Sequence, residues 1–311
     1  MSSEDQLGIP ARARIREVGP RDGFQNEPER IPTPDKIRLI DALARTGLPR
    51  VEVASFVRAD VIPQLADAAE VLAGIDVPDG VDVAVLVPNE RGLDAALEHR
   101  ERFDEVIVFL SASETHNLKN INRPVADSLA SVERMLPRIR QAGLRPLASI
   151  ATSFGCPYEG HVPAERVHEL AERMAIAGAQ EISFGDTTGM ANPRQVRSFY
   201  EGARERLPGV ELTAHFHNTR GQGLANALAA LEAGVESFES SFGELGGCPV
   251  PPGATGNVAT EDLVSMLHEM GIETGVDLPR LLEAARDVQR VLGRPLGSHV
   301  LVAGPVEWAD A

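Results

Sequence analysis

Cysteine is scarce in this chain: only Cys156 and Cys248 occur in 311 residues. Two are too few for the disulfide scaffold of a secreted protein and fit free thiols in a reducing compartment. Cations are short as well, with 30 Lys and Arg against 46 Asp and Glu and a net charge of -16. That balance excludes a general nucleic-acid binder, because a phosphate backbone requires a concentrated basic surface. Any anionic substrate must be met by local cations. Long apolar runs are missing too; no stretch of about 18 or more apolar residues could cross a bilayer as a helix. The opening MSSEDQLGIPARAR lacks the apolar core of a signal peptide. We therefore expect a cytoplasmic protein whose partner is a small molecule, neither nucleic acid nor membrane.

What is present is the composition of a folded enzyme. Hydrophobic residues make up 43% and charged residues 24%, enough to bury a sizeable core. The length suits one α/β barrel of roughly 250 residues with extensions. Short apolar runs recur along the chain: RIREV at 14–18, RVEVA at 50–54, VDVAVLV at 81–87, EVIVFL at 105–110, RPLASIA at 145–151, EISFG at 181–185, ELTAHFH at 211–217 and ESFESSF at 236–242. Helical stretches such as DKIRLIDALARTG, PAERVHELAERMAIAG and GQGLANALAALEAG lie between them, several ending at the glycine expected of a helix C-terminus. Eight successive βα units predict a closed TIM (β/α)8 barrel. We expect a single catalytic domain over 1–311, with the barrel over about 14–270 and a small C-terminal helical appendage over about 271–311.

The stretch HFHNTRGQGLAN at 215–226 then gains meaning. Side chains two apart on a strand share a face, so His215 and His217 can both point into the barrel mouth. Active sites of this fold form there. Other polar residues fall at the same rim: Arg21 and Asp22 in GPRDG, Glu52 in the second strand, Asp186 in FGDTTG, and Cys248 and Asn257 after the eighth. Each has a bland reading. A His-x-His pair can be a satisfied polar contact, Arg-Asp-Gly is good turn chemistry, Glu52 could pair with a barrel arginine, and Cys248 before a proline could be inert. Separate bland readings do not explain why all of them fall at one rim. Two imidazoles with a carboxylate and an amide oxygen suit an octahedral divalent cation, Mg²⁺ or Mn²⁺, with zinc left open.

Several motifs carry a family resemblance: GPRDGFQNE at 19–27, SFV at 55–57, KNIN at 119–122, GCPYEG at 155–160, GDTTG at 185–189, the HFHNT segment and, above all, ELGGCPVPPGATGNVATEDLV at 244–264. From about 14 to 292 the chain resembles the 3-hydroxy-3-methylglutaryl-CoA lyases, metal-dependent TIM-barrel enzymes that form acetyl-CoA and acetoacetate. The resemblance implies Asp22, His215, His217 and Asn257 as metal ligands. It implies Arg21 on the thioester carbonyl, Cys248 as the thiol of a mobile loop, and Glu52, Gln25 and Asp186 lining the site. His215 would add proton transfer to ligation. We further expect a homo-oligomer, a dimer, acting in leucine degradation. Retro-Claisen cleavage independently needs such groups, since a hydroxyl proton must leave, an enolate must be stabilised and a carbon must be reprotonated.

The chain also departs from the family pattern. After the second histidine the lyases carry Asp-Thr-Tyr, where this sequence has Asn218-Thr219-Arg220; an arginine and a tyrosine of their fifth strand are here Leu147 and Ser149; and the imidazole of His116 is unusual. A related lyase for another 3-hydroxyacyl-CoA, such as citramalyl-CoA or a longer 3-hydroxyglutaryl-CoA, is one alternative. Asn218 also suits a Claisen condensing acyltransferase similar to isopropylmalate or homocitrate synthase. A silent binding protein would be expected to have lost Arg21, Asp22 or Cys248, and all three are present.

Overall fold

The eight apolar runs pair in parallel as β1 (Arg14–Glu17), β2 (Arg50–Ser55), β3 (Asp82–Val87), β4 (Glu105–Ser111), β5 (Arg145–Ala151), β6 (Glu181–Asp186), β7 (Glu211–Phe216) and β8 (Ser237–Ser240). Each pairs with its successor, and β8 pairs back onto β1, so the sheet closes and leaves no open edge. The expected (β/α)8 barrel is the fold observed. The computed structural model describes residues 9–246 and 255–308.

Among the described residues the helices are α1 (Thr33–Ala44), α2 (Ala68–Gly74), α3 (Glu90–Leu97), α4 (Glu114–Ile121), α5 (Val125–Gln141), α6 (Ala164–Ile176), α7 (Pro193–Arg206), α8 (Gly223–Glu232), α9 (Thr260–Glu269), α10 (Leu278–Leu292) and α11 (His299–Ala303). Helix α6 shows why they form. Val167, Leu170, Ala171 and Met174 recur at helical spacing and are buried on one stripe. The chain then turns at Gly178, whose φ of 111° only glycine adopts without strain. Helix α10 is capped by Asp277, buries Leu281, Leu282, Ala285 and Val288, and packs on both α1 and α9.

Alternation along the strands sorts the barrel into two compartments. On β7, Leu212, Ala214 and Phe216 face the helices within the main core, while Thr213, His215 and the following His217 face the interior. The interior floor is ionic: Arg16, Arg50 and Arg145 are paired with Glu105, Glu181 and Glu211. Above it lies a small apolar cluster of Ala84, Ile107 and Leu147, with Leu86 against it. One irregularity matters for the site. The β2–β3 register slips between Glu52 and Ala54, so an extra residue changes which positions face inward. Glu52 is followed in the cavity lining by Ser55 and Val57 instead of by position 54.

Candidate active site and metal centre

At the carboxyl ends of the strands a cavity of about 650 Å³ opens. Its polar wall carries Arg21, Asp22, Glu52, His215, His217 and Glu239, and its apolar wall includes Leu86, Ile107 and Phe109. The two imidazoles meet at Nε2, 3.1 Å apart. Donor atoms of Asp22, His215 and His217 all lie within 4.8 Å of one another, a grouping able to hold a metal ion. Burial and the neighbouring His215 push the His217 ring down to about 3, so it is neutral, the form a cation binds. Burial also opposes protonation of His215, but the hydrogen bond and charge of Glu239 outweigh it and hold that ring above its ordinary value.

Asp22 and Arg21 are delivered by a single π-helical turn, Gly19–Gly23, directly after β1. Asp22 Oδ1 accepts from Arg21 Nη1 at 3.0 Å and from Gln25 Nε2 at 2.8 Å, and Oδ2 accepts from Asn257 Nδ2 at 2.7 Å. Burial works against this carboxylate, yet Arg21 and the two imidazoles keep it below its usual range. Glu52 grips Arg21 in a fork, at 2.6 Å to Nε and 3.1 Å to Nη2. The expected buried ion-pair partner and the expected site residue are thus the same glutamate. Of the five guanidinium protons, these bonds and the one to Asp22 use three, leaving two for a ligand.

Asn257 arrives from the far end of the long segment after β8. Its backbone is zipped beside the end of β7, with Asn218 N donating to Gly256 O at 2.9 Å and Val258 N donating to Phe216 O at 2.9 Å. Gly246 packs so tightly against this corner that a Cβ there would lie 2.5 Å from Asn257 Nδ2 and 2.9 Å from Asp22 Oδ2. Below it, two buried glutamates hold the start of the segment. Glu17 accepts from the amides of Gly19 and Phe242 and from Thr260 Oγ1, and Glu261 accepts from the amide of Gly243. Burial raises Glu17 to about 7 and Glu261 to about 8.

The structure therefore brings together Arg21, Asp22, Gln25, Glu52, His215, His217 and Asn257. Asp186 stands beside this group. It lies between the cavity-lining Gly185 and Thr187, at the outward register position of β6, and its Oδ1 accepts the amides of Met190 and Ala191 at 2.8 and 3.1 Å. Its carboxyl, raised by burial to about 7, braces a loop through Oδ1, while Oδ2 is buried without a hydrogen-bond partner among the described residues. Cys248 lies outside the described residues. Asn218 faces away from the imidazoles; it donates to Glu244 at 2.6 Å and accepts from Gly223 N at 3.1 Å. Arg220 clasps the carbonyls of Thr188 and Gly189, both at 2.8 Å. On the opposite wall, Ser149 and His116 line the cavity, His116 being bonded to Ser111 Oγ at 2.7 Å and shifted down by burial. Glu239 was missed by sequence reasoning; its only signal was its inward parity in ESFESSF.

Comparison with known proteins agrees with this fold. A family model described as HMGL-like matches residues 12–288. The Bacillus subtilis protein named hydroxymethylglutaryl-CoA lyase YngG is 49% identical over 295 residues, spanning 95% of this chain and 98% of its own. A Pseudomonas aeruginosa protein named 3-hydroxy-3-isohexenylglutaryl-CoA/hydroxy-methylglutaryl-CoA lyase is 43% identical over 297 residues, 96% of this chain and 98% of its own. A solved HMG-CoA lyase from Acinetobacter baumannii, in complex with coenzyme A and 3-methylmalate, matches with a TM-score of 0.90 at 40% identity, covering 98% of this chain and 97% of its own. A closed barrel, paired histidines at the end of its seventh strand and relatives matched from end to end converge on one statement: the chain belongs to the HMGL-like family.

Proposed function

We propose that this protein is a divalent-cation-dependent carbon–carbon lyase that cleaves 3-hydroxy-3-methylglutaryl-CoA to acetyl-CoA and acetoacetate. The observation that carries the reading is the convergence of Asp22, His215 and His217 in the cavity that also holds Arg21. The two ring nitrogens meet 3.1 Å apart, a gap that a shared proton bridges in the protein alone and that brings both within reach of one cation. Asn257 Oδ1 is buried without a hydrogen-bond partner among the described residues. A half-turn of its amide, which exchanges Nδ2 and Oδ1, would aim that oxygen at Asp22. Two imidazole nitrogens, a carboxylate and an amide oxygen fit Mg²⁺ or Mn²⁺. Such an ion would bind the substrate hydroxyl and lower its pKa.

The side chains supply the other requirements. The two free N–H groups of Arg21 bind the thioester oxygen and stabilise its negative charge, the guanidinium staying protonated because Glu52 and Asp22 outweigh burial. The hydroxyl proton passes into the Asp22–His215 cluster. The electron pair of the breaking carbon–carbon bond moves onto the thioester as an enolate, releasing acetoacetate. Cys248, assigned here as the proton donor, delivers a proton to the enolate carbon and completes acetyl-CoA. Gly243 and Gly246 lead into its segment with φ of 60° and 94°, values that glycine adopts without strain.

A second substrate reading is favoured by one observation. Ser149, where the family shows tyrosine, leaves the cavity wall beside Phe109 short, which suits a longer branch at C3. We extend the proposal to a cytoplasmic homodimer that takes part in leucine degradation, with light scattering as the check on assembly. The decisive assay supplies 3-hydroxy-3-methylglutaryl-CoA with Mg²⁺ or Mn²⁺ and measures both products. Equal amounts of acetyl-CoA and acetoacetate are expected. Consumption of acetyl-CoA with a 2-oxo acid, and no cleavage, would instead support a Claisen condensing enzyme.

A further inference from the structure

Glu239 touches no residue that the sequence singled out except one, and that contact is informative. In the β7–β8 register His215 stands directly opposite Glu239, so the two side chains leave the sheet together into the interior. Glu239 Oε2 accepts from His215 Nδ1 at 3.0 Å and from Ser183 Oγ at 2.7 Å, while Oε1 accepts from Arg50 Nη2 at 3.1 Å. Arg50 is itself buried and bound to Glu105 and Glu181 at 3.1 and 3.2 Å. A continuous line of contacts thus runs from the ionic floor of the barrel to the imidazole pair.

We propose that Glu239 is a positioning residue that takes the Nδ1–H of His215 and so locks this ring in the tautomer whose Nε2 lone pair faces Asp22 and His217. The inference rests on reading His215 as a cation ligand. A neutral imidazole can carry its proton on either nitrogen, and a proton on Nε2 would point a donor at the place a cation occupies. A carboxylate on the far nitrogen removes that alternative and makes the ring a better ligand. Arg50 and Ser183 keep the carboxylate aimed, because each occupies a lone pair that could otherwise turn away.

Replacing the carboxylate with an amide of the same size gives a sharp test. In Glu239→Gln the remaining oxygen is drawn to the charged Arg50, which places the NH₂ group against His215 Nδ1 and selects the wrong tautomer. Arg50 keeps Glu105 and Glu181, so the floor stays compensated. The experiment titrates the full-length protein with Mn²⁺ by calorimetry and follows ¹⁵N-labelled histidines in the cation-free protein, the His215 signal being assigned by its loss in His215→Gln. We expect wild type to bind Mn²⁺ with His215 protonated at Nδ1, and Glu239→Gln to bind about 10- to 100-fold more weakly with the proton moved to Nε2. Should that variant not fold, Ser183→Ala removes a bond to the same oxygen without changing charge and is expected to weaken Mn²⁺ about 2- to 10-fold. Unchanged affinity and an unchanged His215 spectrum in a folded variant overturn the positioning role. A wild-type protein that binds no Mn²⁺ overturns the cation site itself.

Discussion

Catalytic geometry at the residue scale depends on how tightly Arg21 is held. Glu52 fixes the guanidinium with two bonds from a buried position, and Asp22 adds a third. Glu52→Gln keeps the shape but loses the charge, so Arg21 drifts from the thioester oxygen; kcat is expected to fall about 10²-fold while Mn²⁺ affinity, measured by calorimetry, changes little. Specificity belongs to the opposite wall. Ser149→Tyr inserts a phenol beside Phe109, and the ratio of kcat/KM for the methyl substrate over one with a longer C3 branch should rise by about tenfold or more. Part of this layout could be read from the sequence. His215 and His217 announced themselves by their i, i+2 spacing, and Asp22 by its place after β1. The parity of Asp186, opposite to that of the cavity-lining Gly185, could not be read from the sequence, and Glu239 was hidden because a glutamate in an amphipathic strand also reads as a solvated side chain.

Elements, not single residues, hold the described ends of the segment after β8. Its two ends are pinned by unlike devices: Glu17 and Glu261 hold the amides at 242 and 243, while the backbone of Gly256 and Val258 adds onto the end of β7. Asn218 ties the two together by holding Glu244, so a position that looked like a clue to different chemistry is a brace. Asn218→Ala is expected to lower kcat/KM about tenfold through looser anchoring of Glu244, with Mn²⁺ binding preserved. A simultaneous loss of cation affinity would place Asn218 at the ion after all. The sequence made the eight strands and most helices legible because apolar periodicity and terminal glycines are local signals. It could not show the bulge after Glu52, since which residue is extra depends on pairing with β3.

Considered as a whole molecule, the barrel carries charge inside as well as a net -16 across its full sequence, and this gives stability a pH dependence. Glu17 and Glu261 titrate near 7 and 8 in the fold, well above ordinary glutamates, so the stability they contribute is complete at low pH and is lost as pH rises through those values. His217, depressed to about 3, acts in the opposite sense, but only below its ordinary range near 6.5. Between pH 6.5 and 8 the glutamates dominate. The thermal midpoint should therefore fall by a few degrees across that interval, and Glu261→Gln, which imitates the protonated acid, should flatten the slope. A midpoint that rises over the same interval would show these carboxyls to be ionised in the fold. The cleavage proposed for this site requires a shared cation at the barrel mouth. Its most direct test is the cleavage of 3-hydroxy-3-methylglutaryl-CoA before and after exhaustive chelation: activity should vanish on stripping and return with Mg²⁺ or Mn²⁺, whereas full turnover by protein shown to be free of metal would contradict it.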